Sequence, residues 1–139
     1  MSYYEIQGGR PLYGSLAVHG AKNSVLPILA ACLLVPGQSV IHNCPDLSDV
    51  AATLDILRLL GCRADREGDT VVIDATALSR WDIPEHLMRE MRSSVIFLGA
   101  LLARLGTAEL SYPGGCELGP RPIDLHLSAL RALGAEILE

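Results

Sequence analysis

The 139-residue sequence has no excess of positive charge. Eleven Lys and Arg face sixteen Asp and Glu, for a net charge of −5 at pH 7. A general nucleic-acid binder needs a basic surface, so that class is excluded. Any anionic ligand must then be held by a few local cations, not by the overall field. Long apolar runs are also missing. The most apolar stretch, Val25 to Val35, contains Pro27 and is too short to span a bilayer. No leader-like apolar core stands in MSYYEIQGGRPLYG, so no export signal and no membrane partner are expected, and the expected location is cytoplasmic. No segment is low in complexity. No CxxC occurs among Cys32, Cys44, Cys62 and Cys116, and their spacings match no zinc template. Neither a metal nor an organic cofactor is expected, and the thiols should be free. Three of the cysteines sit among aliphatic residues, as small buried fillers do; Cys116 does not.

What is present is a chain that folds. Half the residues are hydrophobic and 19% are charged, which suits one domain or a piece of one. Short strands are expected at Ser15 to Val18, Val40 to Asn43, Thr70 to Asp74 and Glu109 to Tyr112, with Tyr3 to Gln7 a further candidate. Four helical patterns alternate with them. The first runs from about Asn23 to Leu34, capped by Asn23 or Ser24, with Pro27 in or near its first turn. The second runs from about Asp49 to Leu60, after Ser48 and before Gly61, and buries Val50, Leu54 and Leu57 on one face. The third, about Pro84 to Leu105, carries a polar break at Arg89 to Ser94 that can divide it. The fourth starts with Pro122 at its first position and ends at Leu133, before Gly134.

These elements repeat. Lys22-Asn23-Ser24-Val25-Leu26 opens one apolar helix, and Arg92-Ser93-Ser94-Val95-Ile96 opens another 70 positions later. Each is followed by a glycine, a strand, a Pro-containing loop, an amphipathic helix and a Leu-Gly pair that leads into a strand. Leu60-Gly61 and Leu133-Gly134 stand 73 positions apart, so the second copy carries about three extra residues, in the loop Tyr112 to Arg121. A period of this kind means repeated α/β units that share a core. Ala135 to Glu139 reads as a strand cut short, so a truncated chain is expected.

The chemistry concentrates at the helix openings and in that loop. A helix start offers free N–H groups and a positive dipole end, and Lys22 and Arg92 each add a cation there. Either can be a solvated charge, but a cation at a helix start opposes the dipole and needs a compensating reason. Gly114, Gly115 and Gly119 surround Cys116, and Arg121 stands five residues on, before Pro122. A guanidinium near an exposed thiol lowers its pKa, and its fork of donors suits phosphate. The other reading is a glycine-rich turn with an incidental cysteine. Residue chemistry alone thus reaches an α/β repeat with an anion site and an exposed thiol.

Four motifs go further. Gly20-Ala21-Lys22-Asn23, Met91-Arg92-Ser93-Ser94, Pro113-Gly114-Gly115-Cys116 and Gly119-Pro120-Arg121-Pro122-Ile123-Asp124-Leu125-His126 run in one order along the chain. In them the sequence resembles the N-terminal part of the UDP-N-acetylglucosamine 1-carboxyvinyltransferases, or enolpyruvyl transferases. The related 5-enolpyruvylshikimate-3-phosphate synthases share the fold but not the cysteine loop. The resemblance implies an α/β fold of repeated units, with helices buried inside and sheets outside, here as an incomplete inside-out barrel. Residues 1–21 would belong to the other domain of such proteins. Residues 22–91 and 92–139 would be two of the three units of the second domain.

The resemblance also implies a reaction. The enolpyruvyl group of phosphoenolpyruvate passes to the 3-hydroxyl of UDP-N-acetylglucosamine, and phosphate leaves. Lys22, Asn23, Arg92 and Arg121 match the residues that hold phosphoenolpyruvate. Asn23, Arg92, Arg121, Pro122, Ile123, Asp124, Leu125 and His126 match those that hold the UDP-sugar. Cys116 matches the cysteine that acts as general acid or forms a covalent adduct, and that fosfomycin alkylates. Where many relatives carry a Trp after the Arg-x-Ser motif, this chain has Ile96 and Phe97.

Overall fold

The computed structural model describes residues 3–111 and 122–138. Its first helix, α1, spans Lys22–Ala31 and tightens into a 3₁₀ turn over Cys32–Leu34. Strand β1 (Gln38–Ile41) follows, then α2 (Ser48–Leu59), β2 (Arg63–Glu67) and β3 (Thr70–Asp74). Next come β4 (Asp82–Ile83), α3 (Glu85–Glu90), a 3₁₀ turn at Arg92–Val95, α4 (Ile96–Leu105), β5 (Glu109–Leu110) and α5 (Asp124–Ala132).

Strands β1, β3 and β2 form an antiparallel sheet in that spatial order. The β2–β3 hairpin turns at Gly68-Asp69. Gly68 has φ +60° and Asp69 is not left-handed, which fits a type II′ turn. Alternation along β3 turns Val71 and Ile73 inward, beside Ala64 of β2, onto α2. Helix α2 lies between this sheet and α1, and α4 packs on α1 and its 3₁₀ extension. Leu29 and Leu33 of the first helix and its extension, Val50, Ile56 and Leu57 of α2, and Phe97 and Leu101 of α4 fill the resulting core. Helices are thus inside and the sheet outside, in a mixed α/β arrangement with no closed barrel among the described residues. Strands β4 and β5 pair in parallel, which ties the strand after α4 in the second repeat to the end of the first repeat.

The repeat is visible in the helix ends. At the end of α2, Cys62 N–H donates to Leu57 O and Gly61 N–H to Arg58 O. Gly61 is left-handed at φ +100°. At the end of α5 the same pair of bonds runs from Ala135 to Leu130 and from Gly134 to Arg131, with Gly134 at φ +96°. Both are Schellman caps, and both need the glycine to supply a positive φ.

Several expected boundaries move. Asn23 and Ser24 do not cap α1. Ala21 does, with no side-chain bond, and its carbonyl takes the amides of Ser24 and Val25. Pro27 therefore sits in the second turn, inside the helix, where Asn23 O loses its i+4 donor. The first strand comes earlier, at Gln38–Ile41, because Asn43 turns left-handed at φ 54°. The third helix does divide, at the extended residue Met91. Helix α5 starts at Asp124 rather than Pro122, behind Ile123. Of the strand expected over Glu109 to Tyr112, Glu109–Leu110 forms, and Tyr112 lies outside the described residues.

Three expected strands do not form: Tyr3 to Gln7, Ser15 to Val18 and the segment at 135–138. Their sequences alternate well enough, but a strand needs a neighbour to take its N–H and C=O groups. The described chain offers them none, and Tyr4, Ile6, Leu16, Val18 and Leu138 stay exposed.

Candidate functional site

The start of α1 is held against the start of α2 by a close backbone approach. A Cβ on Gly20 would collide with the carbonyl oxygen of Asn43 and lie 3.3 Å from Pro45 Cδ, so only glycine allows the approach. Arg66 braces the other side of the same loop. Its guanidinium donates to Cys44 O at 3.0 Å, Pro45 O at 3.2 Å and Gly68 O at 2.9 Å. Cys44 N–H in turn donates to Asp69 O at 2.7 Å. The loop that leads into α2 is therefore tied to the β2–β3 turn and has little freedom.

This scaffold brings Lys22 Nζ to 2.7 Å from Asp49 Oδ2. Lys22 is the first residue of α1 and Asp49 lies in the first turn of α2. The pair answers the objection that a lysine at a helix start opposes the dipole. The carboxylate suits the α2 terminus and also neutralises the ammonium beside the α1 terminus. It is a partly exposed pair, with side-chain exposures of 50% and 23%, so its net stabilisation is at most about 1 kcal/mol.

One turn on, the buried Thr53 links the first repeat to the opening of the second. Its hydroxyl donates to Asp49 O at 2.8 Å, and the same oxygen lies 3.3 Å from Met91 Sδ. Met91 is buried and directly precedes Arg92, which opens the 3₁₀ turn into α4. The buried Ser94 locks that turn by donating to Met88 O at 3.0 Å. Lys22, at the first helix opening, and Met91, directly before the second, thus both meet the first two turns of α2.

Pro122 and Ile123 lead into α5, and Asp124, Leu125 and His126 open it. All are exposed except the half-buried Ile123, and Leu125 is 79% exposed. Cys116 and Arg121 lie outside the described residues, with the rest of the loop 112–121. Asn23 is exposed at the second position of α1. The other three cysteines are free and buried. Burial pushes the Cys32 and Cys44 thiols up, and burial, then Asp74 and Cys32, push Cys62 up to about 11. All three are fillers; Cys32 has the aliphatic neighbours that indicate it, whereas Cys44 stands between Asn43 and Pro45 and is buried by tertiary contact. Phe97 is fully buried in the core, so its ring is a packing element.

Sequence reasoning missed the connection between Lys22 and Asp49. Asp49 reads first as a helix-start acid, with an approach to the cleft as the other reading, and nothing in the chain pairs it with a residue 27 positions earlier. The bracing by Arg66 and the Thr53–Met91 contact were equally silent. Gly20 was the one available signal, as a glycine that neither ends a helix nor makes a hairpin.

Among the described residues, no helix is long and apolar enough to cross a membrane, and no cluster of three His, Cys, Asp or Glu could hold a metal ion. The model of the EPSP synthase (3-phosphoshikimate 1-carboxyvinyltransferase) family matches residues 6–139. The UDP-N-acetylglucosamine 1-carboxyvinyltransferase 2 of Caldanaerobacter subterraneus subsp. tengcongensis is 53% identical over 139 residues, 100% of this chain and 33% of the relative. The corresponding enzyme 1 of Symbiobacterium thermophilum is 50% identical over 98% of this chain and 32% of its own length. The solved structure of the enolpyruvyl transferase NikO from Streptomyces tendae superposes with a TM-score of 0.66 at 33% identity, over 73% of this chain and 24% of that one. The chain spans about a third of the length of the curated relatives it matches. On these grounds the chain belongs to the EPSP synthase (3-phosphoshikimate 1-carboxyvinyltransferase) family.

Proposed function

We propose that this chain carries one wall of the active site of a UDP-N-acetylglucosamine 1-carboxyvinyltransferase. The observation that supports this most is the meeting of two cation-bearing helix openings on α2. Lys22 stands on Asp49, and Met91, next to Arg92, stands on Thr53. Relatives about half identical over nearly the whole chain carry that enzyme's name. They favour it over the shikimate enzyme, as does the Pro113-Gly114-Gly115-Cys116 loop.

In this reading Lys22, Arg92 and Arg121 grip the phosphate of phosphoenolpyruvate, and Asn23 holds the sugar hydroxyl and the intermediate. Pro122 to His126 hold the uridine and its diphosphate, with Asp124 accepting from the uracil N–H and the α5 amides facing phosphate. The 3-hydroxyl of the sugar gives up its proton as its oxygen attacks C2, while C3 gains a proton. The cations stabilise the tetrahedral phosphate-bearing intermediate, which then loses a proton from C3 together with phosphate and so restores the C=C bond. Cys116 delivers the C3 proton in the addition step, or adds through its thiolate to C2 of the protonated enol as a covalent adduct. The same thiol would be the site that fosfomycin alkylates. The enzyme's place is the cytoplasmic, first committed step of peptidoglycan synthesis, and hence cell-wall growth, cell shape and division.

Residues 1–21 belong to the opposite domain in this reading, and 22–91 and 92–139 are two units of the domain that carries the cysteine. The exposed apolar side chains of Tyr4, Ile6, Leu16 and Val18 support the first assignment. With one wall of the cleft, the 139 residues alone bind substrate weakly and turn nothing over. Amide spectra titrated with phosphoenolpyruvate and UDP-N-acetylglucosamine should shift at Lys22 to Ser24, Arg92 to Val95 and Ile123 to His126, without phosphate release. Shifts confined to other residues would contradict the site, and phosphate release would contradict the one-wall reading.

A further inference from the structure

Lys22 is the only lysine in the sequence, and its side chain has four rotatable bonds to fix before its ammonium can meet a ligand in one place. It is half exposed, so packing alone does not fix it. Among the described residues, the anchor for its ammonium is the carboxylate of Asp49 at 2.7 Å. Asp49 itself has little play. Its carbonyl takes the buried Thr53 hydroxyl, its helix starts behind a loop held by Arg66, and that loop sits against Gly20. An ammonium has three N–H donors, so a single contact to Oδ2 leaves two for an anion.

We infer that Asp49 is the positioning residue for Lys22: it holds the ammonium at the junction of the α1 and α2 openings, ready to receive the phosphate of phosphoenolpyruvate. The inference rests on the reading of Lys22 as a phosphate ligand. Its signature is a sign. A carboxylate beside an anion site repels the anion, so removing its charge alone should strengthen binding. Removing its hold on Lys22 should weaken it. Asp49→Asn keeps an acceptor oxygen in the same place and loses the charge, whereas Asp49→Ala loses both.

The test uses the 139-residue chain labelled with ¹³C-lysine, which gives one set of lysine signals, all from Lys22. In the native chain the ε-methylene should relax as a restricted group. Asp49→Ala should free it, and Asp49→Glu should restore part of the restriction. Binding of phosphoenolpyruvate, followed on the same signal, should weaken by up to about fivefold in Asp49→Ala, the loss of one partly exposed ion pair. In Asp49→Asn it should stay level or strengthen. Thermal unfolding of each variant reports separately on any loss of fold. Lys22 mobility unchanged by Asp49→Ala would overturn the inference, and so would binding that strengthens in both variants. If mobility changes as described but phosphoenolpyruvate leaves the Lys22 signal unmoved, the phosphate-ligand reading fails and the positioning contact stands.

Discussion

At the residue scale, three side chains behave as fillers and one glycine as a spacer, and each has a consequence for stability. Cys62 is a thiol whose folded-state pKa lies near 11, against 9.0 for an ordinary thiol in the unfolded chain. Below pH 9 both states keep the proton and the thiol adds no pH dependence. Between pH 9 and about 11 the unfolded state loses its proton first, so the folded state loses stability as pH rises. Denaturant midpoints taken at pH 8 and pH 10.5 should fall across that window, and less so in Cys62→Ala. A flat profile would show that the thiol is not shielded. Gly20→Ala should cost about 1–3 kcal/mol, because the new methyl meets the Asn43 carbonyl, which the Arg66-braced loop prevents from moving aside. A loss of stability under about 0.5 kcal/mol in urea unfolding would mean that the loop gives way. The sequence displayed Lys22, Arg92 and Cys32 plainly, since a cation at a helix start and a thiol among aliphatic residues are local facts. Their surroundings were hidden, because the Lys22–Asp49 pair, the Thr53–Met91 contact and the Arg66 bonds to the Cys44 and Pro45 carbonyls form only through tertiary contact.

At the scale of elements, α2 and α5 are the same helix in two settings. Val50, Leu54 and Leu57 correspond, 73 positions on, to Ile123, Leu127 and Leu130. The first three are buried between the sheet and α1, and the second three are only half-buried. Both helices end in the same Schellman cap, a device carried by the Leu-Gly pair itself, so local sequence decides the cap and the neighbours decide the burial. Leu57→Ala should therefore cost about 2–5 kcal/mol, and Leu130→Ala much less, under about 1 kcal/mol, in matched unfolding experiments. Equal costs would mean that α5 is packed as α2 is. The same contrast explains which elements were legible. Helices α1, α2 and α4 and strand β3 follow from hydrophobic period and turn residues. The strands expected at Tyr3 to Gln7 and Ser15 to Val18 have the right alternation, but alternation specifies a face and not a partner. The division of the third helix at Met91 was signalled by its polar break.

At the scale of the molecule, the described residues leave an apolar groove open between α1 and α4. Pro27, Ala31, Leu34, Ile96, Gly99 and Ala103 line it. Exposed Ile28 and Val35 add apolar surface on α1 and just beyond its 3₁₀ extension. A face of this kind is costly to leave in water. The chain should self-associate, with a sedimentation coefficient that rises with concentration, and a compact monomer at high concentration would contradict this. The central proposal is that the Cys116 thiol acts on the same substrate that Lys22, Arg92 and Arg121 bind. Competitive alkylation with peptide mass mapping tests it most directly, because Cys32, Cys44 and Cys62 are buried and serve as internal controls. The account predicts that Cys116 reacts well ahead of the other three, and that phosphoenolpyruvate with UDP-N-acetylglucosamine changes its rate in the native chain but not in Lys22→Ala. Four cysteines that react alike, or a Cys116 rate indifferent to both ligands, would contradict it.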